Sequence, residues 1–304
     1  MLKRFAPLLL ATVLVFSASA THNSLADEMP WQGVPGAKGH IVMVGGGPRP
    51  DSVMRHILQL SGDNSMLVIP MASATPQQTG DAQAAQFLEL GAASAAALVL
   101  QSEDLDNTEI AQRIASAKGI WFSGGDQNRL MEALGNGVLL AAVKQAYLDG
   151  AVISGTSAGT AVISRSMITG DERFPAEDNN FAVLIENNVV TTPGIGLLNN
   201  MIVDQHFVMR SRLNRLISVL IDTPESLAAG IDEATALWIQ PDGVAEVLGE
   251  SQVILLQESG GTDNQQLADS PRLQAARDIR LSVLPPGSRF RITDSEIVDI
   301  SLPD

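Results

Sequence analysis

Short apolar runs alternate with longer segments of helical period through the first half of this chain, and this alternation limits the fold more than any other feature. The apolar runs lie at residues 40–44, 66–71, 95–100, 119–122 and 151–153, and the helical segments at 51–60, 79–90, 108–117 and 139–148. Strands that alternate with helices pair in parallel and are covered by helices on both faces. We therefore predict an α/β fold of three layers with a mostly parallel sheet. Active sites in such folds lie at the carboxyl ends of the strands.

The pattern changes near residue 237, where helical segments give way to short runs separated by turns. These runs lie at 243–248, 253–257, 280–284 and 289–292, and a Gly-, Asn- and Gln-rich stretch at 258–269 is predicted as a surface loop. With 45% apolar and 17% charged residues, the chain has enough apolar material for a full core. We predict a single catalytic α/β domain over residues 38–304, in which residues 240–304 form an antiparallel, β-rich C-terminal extension.

The first twenty residues have the composition of a secretory signal peptide. Lys3 and Arg4 precede an apolar run at 5–16, and a small-residue cleavage site ends at Ala20, with a second one at Ala26. The apolar run is shorter than the roughly 20 residues that a membrane-spanning helix needs. We expect residues 1–20 to be removed, which leaves a secreted or periplasmic protein with no membrane anchor.

Charge and composition exclude several classes of function. A net charge of -15 does not suit a phosphate-binding surface, so we expect no nucleic-acid partner. The chain has no Cys, which rules out a thiol nucleophile and thiolate metal sites. No nucleotide, metal or flavin motif is present, so we expect neither a metal nor a cofactor. The sequence leaves open whether the active form is a homodimer.

A motif of the form G-x-S-x-G follows the apolar run at 151–153. It reads Gly155-Thr156-Ser157-Ala158-Gly159 and precedes a segment that can continue as a helix. A strand, a sharp turn and a helix around this motif raise the serine hydroxyl above the sheet, and the next N–H can bind an oxyanion. We therefore predict Ser157 as a nucleophile and Ala158 as an oxyanion donor. The alternative is that Ser157 only caps the helix.

A second glycine turn follows the run at 119–122. Its sequence is Ser123-Gly124-Gly125-Asp126-Gln127, and it also opens a predicted helix. We predict the Gly125 N–H as the second oxyanion donor and Gln127 as a substrate contact. The alternative is that Asp126 simply caps the helix.

His206 is the predicted general base. It follows the apolar run at 201–203, whereas His22, His40 and His56 lie near the cleavage region, at the start of a strand and within a helical segment. A serine hydroxyl needs a base whose pKa lies near the working pH, and histidine is that group.

A third group must orient the imidazole, and Glu233 is the predicted acid. It ends an apolar run together with Asp232, its competitor within that pair. Glu172 and Glu177, in the segment predicted as a loop after the serine, remain alternatives. Because Arg210, Arg212 and Arg215 follow the histidine, at least one is expected to bind a substrate carboxylate.

Taken together, these motifs resemble those of the cyanophycinases and their relatives the aspartyl dipeptidases. The matching segments are Gly45-Gly46-Gly47, 122–127, 155–159, 204–207 with Arg210, Arg212 and Leu216, and 230–233. The resemblance implies a flavodoxin-like fold, related to class I glutamine amidotransferases, and a serine peptidase that cleaves β-aspartyl bonds.

By this resemblance, Ser157, His206 and Glu233 form the triad, with Glu172 or Glu177 as the alternative acid. Gly125 and Ala158 are the oxyanion donors. The substrate contacts implied are Gln127, Asp204, Gln205 and Arg210.

The resemblance favours cyanophycin, a polymer with a polyaspartate backbone and arginine branches, as the substrate. The alternatives are an isoaspartyl dipeptidase and a catalytically silent binding protein of the same fold. A lipase or esterase also uses G-x-S-x-G, but it usually orders its triad Ser, acid, His. The order with Glu233 is Ser, His, acid.

Overall fold

The computed structural model describes residues 34–175, 181, 183–258, 273–293 and 296–303. The predicted signal peptide, the candidate acid Glu177 and most of the loop predicted at 258–269 lie outside the described residues.

The first half of the chain forms the predicted parallel sheet. Its strands are β1 (His40–Val44), β2 (Ser65–Ile69), β3 (Ser94–Ala97), β4 (Gly119–Phe122) and β5 (Val152–Thr156). All neighbours pair in parallel in the order β1-β5-β4-β2-β3. Their carboxyl ends therefore lie along one edge of the sheet, as the strand and helix alternation predicts.

Helices cover both faces of this sheet. They are α1 (Asp51–Leu60), α2 (Pro76–Glu89), α3 (Thr108–Ala115), α4 (Gln127–Leu134), α5 (Val138–Leu148) and the short α6 (Ala158–Ala161), with a 3₁₀ turn at Ser102–Asp104. A further helix, α7 (Leu213–Asp222), packs elsewhere. No helix in the described ranges is long and apolar enough to cross a membrane.

Alternation of side chains along the strands divides the core into two apolar clusters. Ile41 and Met43 of β1 pack in the cluster of α3 to α5, whereas Val42 and Val44 pack with α1 and α2. Successive strand residues point to opposite faces of a sheet, so a strand that is buried on both faces is apolar throughout. The three-layer α/β prediction is confirmed.

The antiparallel C-terminal strands are also present. They are β10 (Thr235–Ile239), β11 (Val244–Gly249), β14 (Arg289–Ile292) and β15 (Ile297–Ser301), and they extend the main sheet beyond β1 in that order. β10 pairs antiparallel with β1, so the extension begins beside the first strand.

A second sheet, which the sequence did not predict, contains the strand before His206. Its order is β13 (Ile279–Leu284), β12 (Val253–Glu258), β9 (Leu227–Ile231) and β8 (Met201–Gln205). β8 and β9 are parallel, and α7 packs on this sheet through Leu216 and Val219.

The segment after the serine is not a simple loop. β6 (Ser166–Glu172) and β7 (Val189–Pro193) form an antiparallel hairpin there. Glu172 is therefore the last residue of a strand, which corrects its predicted position in a loop.

Candidate active site

The carboxyl ends of strands from both sheets meet around the glycine run after β1. The Ser157 N–H donates to the carbonyl of Val44 at 3.0 Å, and the His206 N–H donates to the carbonyl of Gly45 at 2.7 Å. The Ala234 N–H donates to the carbonyl of Gly46 at 3.1 Å. The turns after β5, β8 and β9 are thus fastened to the same loop, which brings Ser157, His206 and Glu233 together although they lie far apart in sequence.

Ser157 lies on a strained turn between β5 and α6. Its backbone has φ 54 and ψ -111, a conformation that non-glycine residues rarely adopt. The flanking glycines are sterically required, since a Cβ on Gly155 would lie 2.5 Å from the Gly159 carbonyl oxygen. A Cβ on Gly159 would lie 2.3 Å from the Phe122 carbonyl oxygen. The strand, turn and helix predicted from G-x-S-x-G are present.

Three side chains form a hydrogen-bonded series from the serine to an acid. His206 Nε2 lies 2.8 Å from Ser157 Oγ, and His206 Nδ1 lies 2.5 Å from Glu233 Oε1. The His206 side chain is 9% exposed and that of Glu233 is 22% exposed, so the ring is shielded while the acid reaches solvent. In this geometry the imidazole can take the hydroxyl proton, and the carboxylate holds the Nδ1–H and stabilises the imidazolium.

The glycine run is the surface on which the ring and the acid rest. A Cβ on Gly46 would lie 2.3 Å from His206 Cε1, and a Cβ on Gly47 would lie 2.4 Å from Glu233 Oε2. Both glycines have positive φ, 109° and 64°. The sequence singled out this run only through the resemblance, because close approach to residues 160 to 190 positions away leaves no local pattern.

The electrostatics keep His206 neutral at neutral pH. Burial lowers the pKa of His206 below its usual 6.5, and the positive charges of Arg210 and Arg212 lower it further. The hydrogen bond that the ring donates to Glu233 and the negative charge of Glu233 oppose this shift but do not outweigh it. A neutral imidazole is the form that accepts a proton, so the residue is ready to act as a base.

Two backbone N–H groups lie beside the serine without an acceptor in the described part of the chain, those of Gly125 and Ala158. Gly124 packs against Ser157, since a Cβ there would lie 3.3 Å from the serine Cβ. Gly125 has φ 139, and a Cβ on it would lie 2.0 Å from the Ala72 carbonyl oxygen, so only glycine fits. Paired amides at this position can stabilise a developing negative charge.

Asp126 also caps the helix that follows it, which was the alternative prediction for this turn. Its carboxylate accepts a hydrogen bond of 2.9 Å from the Asn128 N–H at the start of α4. The same turn therefore caps a helix and presents the Gly125 amide.

Glu233 is the acid next to the imidazole, and the other candidates lie elsewhere. Glu172 Oε1 accepts hydrogen bonds from the Phe181 N–H at 3.0 Å and from Asn188 Nδ2 at 2.7 Å. Asp232 binds backbone amides and a serine hydroxyl rather than the ring. No group of three or more His, Asp or Glu side chains in the described ranges is arranged to hold a metal ion.

Asp204, expected as a substrate contact, is not positioned for that role. Its side chain has no exposed surface, and both carboxylate oxygens bind the buried guanidinium of Arg215. A buried carboxylate requires such a partner, so the pair is internal to the second sheet and α7. Substrate cannot reach Asp204 without breaking this ion pair, which corrects the expectation.

Gln205 and Gln127 are also held within the protein. The Gln205 side-chain and backbone oxygens accept hydrogen bonds from Arg212. The Gln127 amide nitrogen donates to the carbonyls of Ile168 at 2.9 Å and Thr169 at 2.5 Å, which fastens α4 to β6. Both residues border the site, but these amide groups have partners in the protein.

Arg210 is a cation close to His206, since its charge lowers the pKa of that ring. It is exposed, and its guanidinium has no acidic partner among the described residues. Arg212, by contrast, is half-buried, and burial together with the charge of Arg215 lowers its pKa to about 10. Arg210 is therefore free to bind an anion near His206.

Comparison with known proteins identifies the family to which this chain belongs. Residues 41–247 match the model of peptidase family S51. Cyanophycinase from Geminocystis herdmanii is 35% identical over 75% of this chain and 82% of its own length, and cyanophycinase from Synechococcus elongatus is 30% identical over 86% and 82%. The crystal structure of a peptidase from an acI-B1 actinobacterium superposes with a TM-score of 0.58 at 26% identity, over 79% of this chain and 98% of that one. On this evidence the chain belongs to peptidase family S51 and is a serine peptidase.

Proposed function

We propose that this peptidase acts on peptides that contain β-aspartyl linkages, with cyanophycin as its substrate and β-Asp-Arg dipeptides as its products. Release of these dipeptides breaks peptide bonds of the polyaspartate backbone and leaves each β-linkage from aspartate to arginine intact. The observation that carries the proposal is the series Ser157, His206 and Glu233 with the unpaired cation of Arg210 beside it. The similarity of the chain to several cyanophycinases supports the choice of substrate.

Acylation begins with proton transfer from Ser157 Oγ to His206 Nε2 as the oxygen attacks the scissile carbonyl carbon. The negative charge moves to the carbonyl oxygen, where the N–H groups of Gly125 and Ala158 would bind it. Glu233 stabilises the imidazolium that forms. When the carbon–nitrogen bond breaks, His206 returns its proton to the leaving amine, and an acyl-enzyme remains on Ser157.

Deacylation repeats these steps with water as the nucleophile. His206 takes a proton from water, the hydroxide oxygen attacks the ester carbon, and the proton returns to Ser157 Oγ. The products are a free carboxylic acid and regenerated enzyme. The neutral state of His206 at the start of each half-reaction fits its lowered pKa.

Arg210 supports specificity for β-linked aspartate. Each aspartate of cyanophycin carries an arginine branch whose α-carboxylate is free, and an ordinary α-peptide has no such branch beside the scissile bond. A guanidinium without an internal partner can bind a carboxylate through two hydrogen bonds. The role that the resemblance gave to Asp204 is not retained, because that residue is fully buried.

The proposal is tested by comparing three substrates with the purified protein: cyanophycin, isoaspartyl dipeptides and casein. We expect β-Asp-Arg to appear by mass spectrometry, with kcat/KM for cyanophycin at least about a thousandfold above that for casein. Hydrolysis of isoaspartyl dipeptides alone would make the protein an isoaspartyl dipeptidase. Turnover of none of the three would favour a silent binding protein, and efficient casein digestion would contradict β-aspartyl specificity.

Export is a further part of the proposal. It rests on Lys3, Arg4, the apolar run at 5–16 and the small residues that end at Ala20 and Ala26. An exported enzyme would act on polymer outside the cytoplasm as a single catalytic domain over residues 38–304. Cell fractionation followed by N-terminal sequencing checks this: the mature chain should begin after residue 20 or 26 and be absent from the cytoplasm.

A further inference from the structure

Asp232, the residue before the triad acid, has an unusual set of hydrogen bonds. Its Oδ1 accepts from the Val208 N–H at 3.0 Å and from the Met209 N–H at 2.9 Å. Its Oδ2 accepts from Ser251 Oγ at 2.7 Å. The carboxylate therefore binds the turn that begins immediately after His206, although it makes no contact with the imidazole.

That turn determines where the imidazole lies. His206 has φ 51, in the left-handed region that a non-glycine residue adopts only when its surroundings impose it. The His206 N–H donates to the carbonyl of Gly45, and the His206 carbonyl accepts from the Arg210 N–H at 2.9 Å. Asp232 holds the two amides between these anchors, so it resists relaxation of the backbone away from this conformation.

The carboxylate is ionised under the conditions in which the enzyme would work. Burial alone would raise the pKa of Asp232, but hydrogen bonds from Met209, Ser251, Glu233 and Val208 outweigh burial and lower it. An ionised acceptor makes stronger hydrogen bonds to backbone amides than a neutral one does. Two consecutive acids thus act on one histidine: Glu233 holds the ring and Asp232 holds the backbone that carries it.

We propose that Asp232 is a positioning residue for His206, acting through the amides of residues 208 and 209. The inference rests on the proposed catalytic role of His206 and deepens it. Asp232 itself is buried, but the turn that it holds lies at the surface, where Val208 and Met209 are 40% and 66% exposed. Water can replace the lost acceptor at such a surface turn, so the fold survives while the histidine loses its fixed backbone.

The test compares Asp232→Ala with Asp232→Asn. The asparagine keeps Oδ1 for both amides, and its NH₂ group can donate to Ser251 Oγ, so it should rescue most of the function. We measure kcat and KM for release of β-Asp-Arg from cyanophycin, together with the rate at which phenylmethylsulfonyl fluoride inactivates the protein. The second assay reports the reactivity of Ser157 whatever the natural substrate is.

A displacement of the base by about 1 Å costs on the order of a hundredfold in rate. We therefore expect Asp232→Ala to lower both kcat and the inactivation rate about a hundredfold with KM within about threefold, and Asp232→Asn to stay within about tenfold of wild type. Asn107→Ala is the matched control, because Asn107 Oδ1 also accepts from two backbone amides, at 3.0 and 3.2 Å, but at the start of α3. It should lose stability and keep its activity.

Wild-type kcat in Asp232→Ala, or an equal loss in Asp232→Asn and Asp232→Ala, would overturn the positioning role. If circular dichroism shows that Asp232→Ala does not fold, Asp232→Ser replaces it, since a serine hydroxyl is too short to hold both amides. A wild-type protein that neither hydrolyses substrate nor reacts with the sulfonyl fluoride would instead refute the proposed function.

Discussion

Replacement of Gly46 by alanine tests how the glycine run positions the imidazole. The new methyl group would lie 2.3 Å from His206 Cε1 and 2.5 Å from His206 Nε2. An ordinary contact begins near 3.4 Å, so the ring must move away by about 1 Å. The hydrogen bond of 2.8 Å to Ser157 Oγ cannot keep its geometry after such a shift.

The expected magnitude has a catalytic part and a structural part. Misplacing the base by about 1 Å costs on the order of a hundredfold in kcat/KM. Independently, alanine at φ 109 costs about 1–3 kcal/mol in backbone strain. Only the loss of kcat/KM depends on the histidine, so the control must carry the backbone strain alone.

Gly91→Ala is that control. Gly91 has φ 101, close to the value at Gly46, and a Cβ there would meet nothing within 4 Å. Both variants should lose similar backbone stability in thermal denaturation, but only Gly46→Ala should lose activity. The assay is kcat/KM for release of β-Asp-Arg, together with the rate of inactivation by phenylmethylsulfonyl fluoride, each per folded molecule.

Activity of Gly46→Ala within threefold of wild type would refute this reasoning. So would an equal loss of activity in Gly91→Ala, since that would trace the effect to stability rather than to the ring.

Three other outcomes follow from the site. Burial lowers the pKa of His206 below 6.5, so kcat/KM should be constant around neutral pH and fall only at a pH below that value. A pH profile with a midpoint above about 7 would contradict a neutral buried base. Glu233→Gln should lower kcat at least about a hundredfold, whereas Glu172→Gln should leave kcat unchanged in steady-state kinetics. The reverse result would identify Glu172 as the acid that assists His206. Arg210→Ala should raise KM for cyanophycin at least about tenfold without creating casein hydrolysis. Arg277 is an exposed arginine paired with Asp278, and an equal rise of KM in Arg277→Ala would show a general charge effect instead.

Much of the fold followed from local patterns in the sequence. The runs at 40–44 and 119–122 coincide with β1 and β4, because strands buried on both faces are continuously apolar and end at glycine turns. The elbow at Ser157 was predictable for a related reason. Its two glycines are required by contacts within a few residues and with the neighbouring strand, so they appear as a compact motif.

Other features depend on contacts between distant segments and left no such signal. The second sheet arises because β9 pairs with β8 on one side and with β12 on the other, and short apolar runs do not specify their partners. Asp204 gave the wrong prediction because a polar residue at a strand end can face substrate or a buried arginine. Only the position of α7, which carries Arg215, decides between these two. The positioning role proposed for Asp232 was not predicted, because the sequence analysis considered this residue only as a competitor of Glu233.

The most direct test of the proposed nucleophile is hydrolysis of cyanophycin by Ser157→Ala, with Ser164→Ala as the matched control. Ser164 is fully buried, and its hydroxyl has no hydrogen-bond partner in the described part of the chain, so the control deletes the same atom away from the triad. Loss of a triad nucleophile typically costs about a millionfold in kcat. We predict no detectable release of dipeptide by Ser157→Ala, wild-type release by Ser164→Ala and unchanged circular dichroism for both. Release by folded Ser157→Ala within tenfold of wild type would contradict the central claim that Ser157 is the nucleophile.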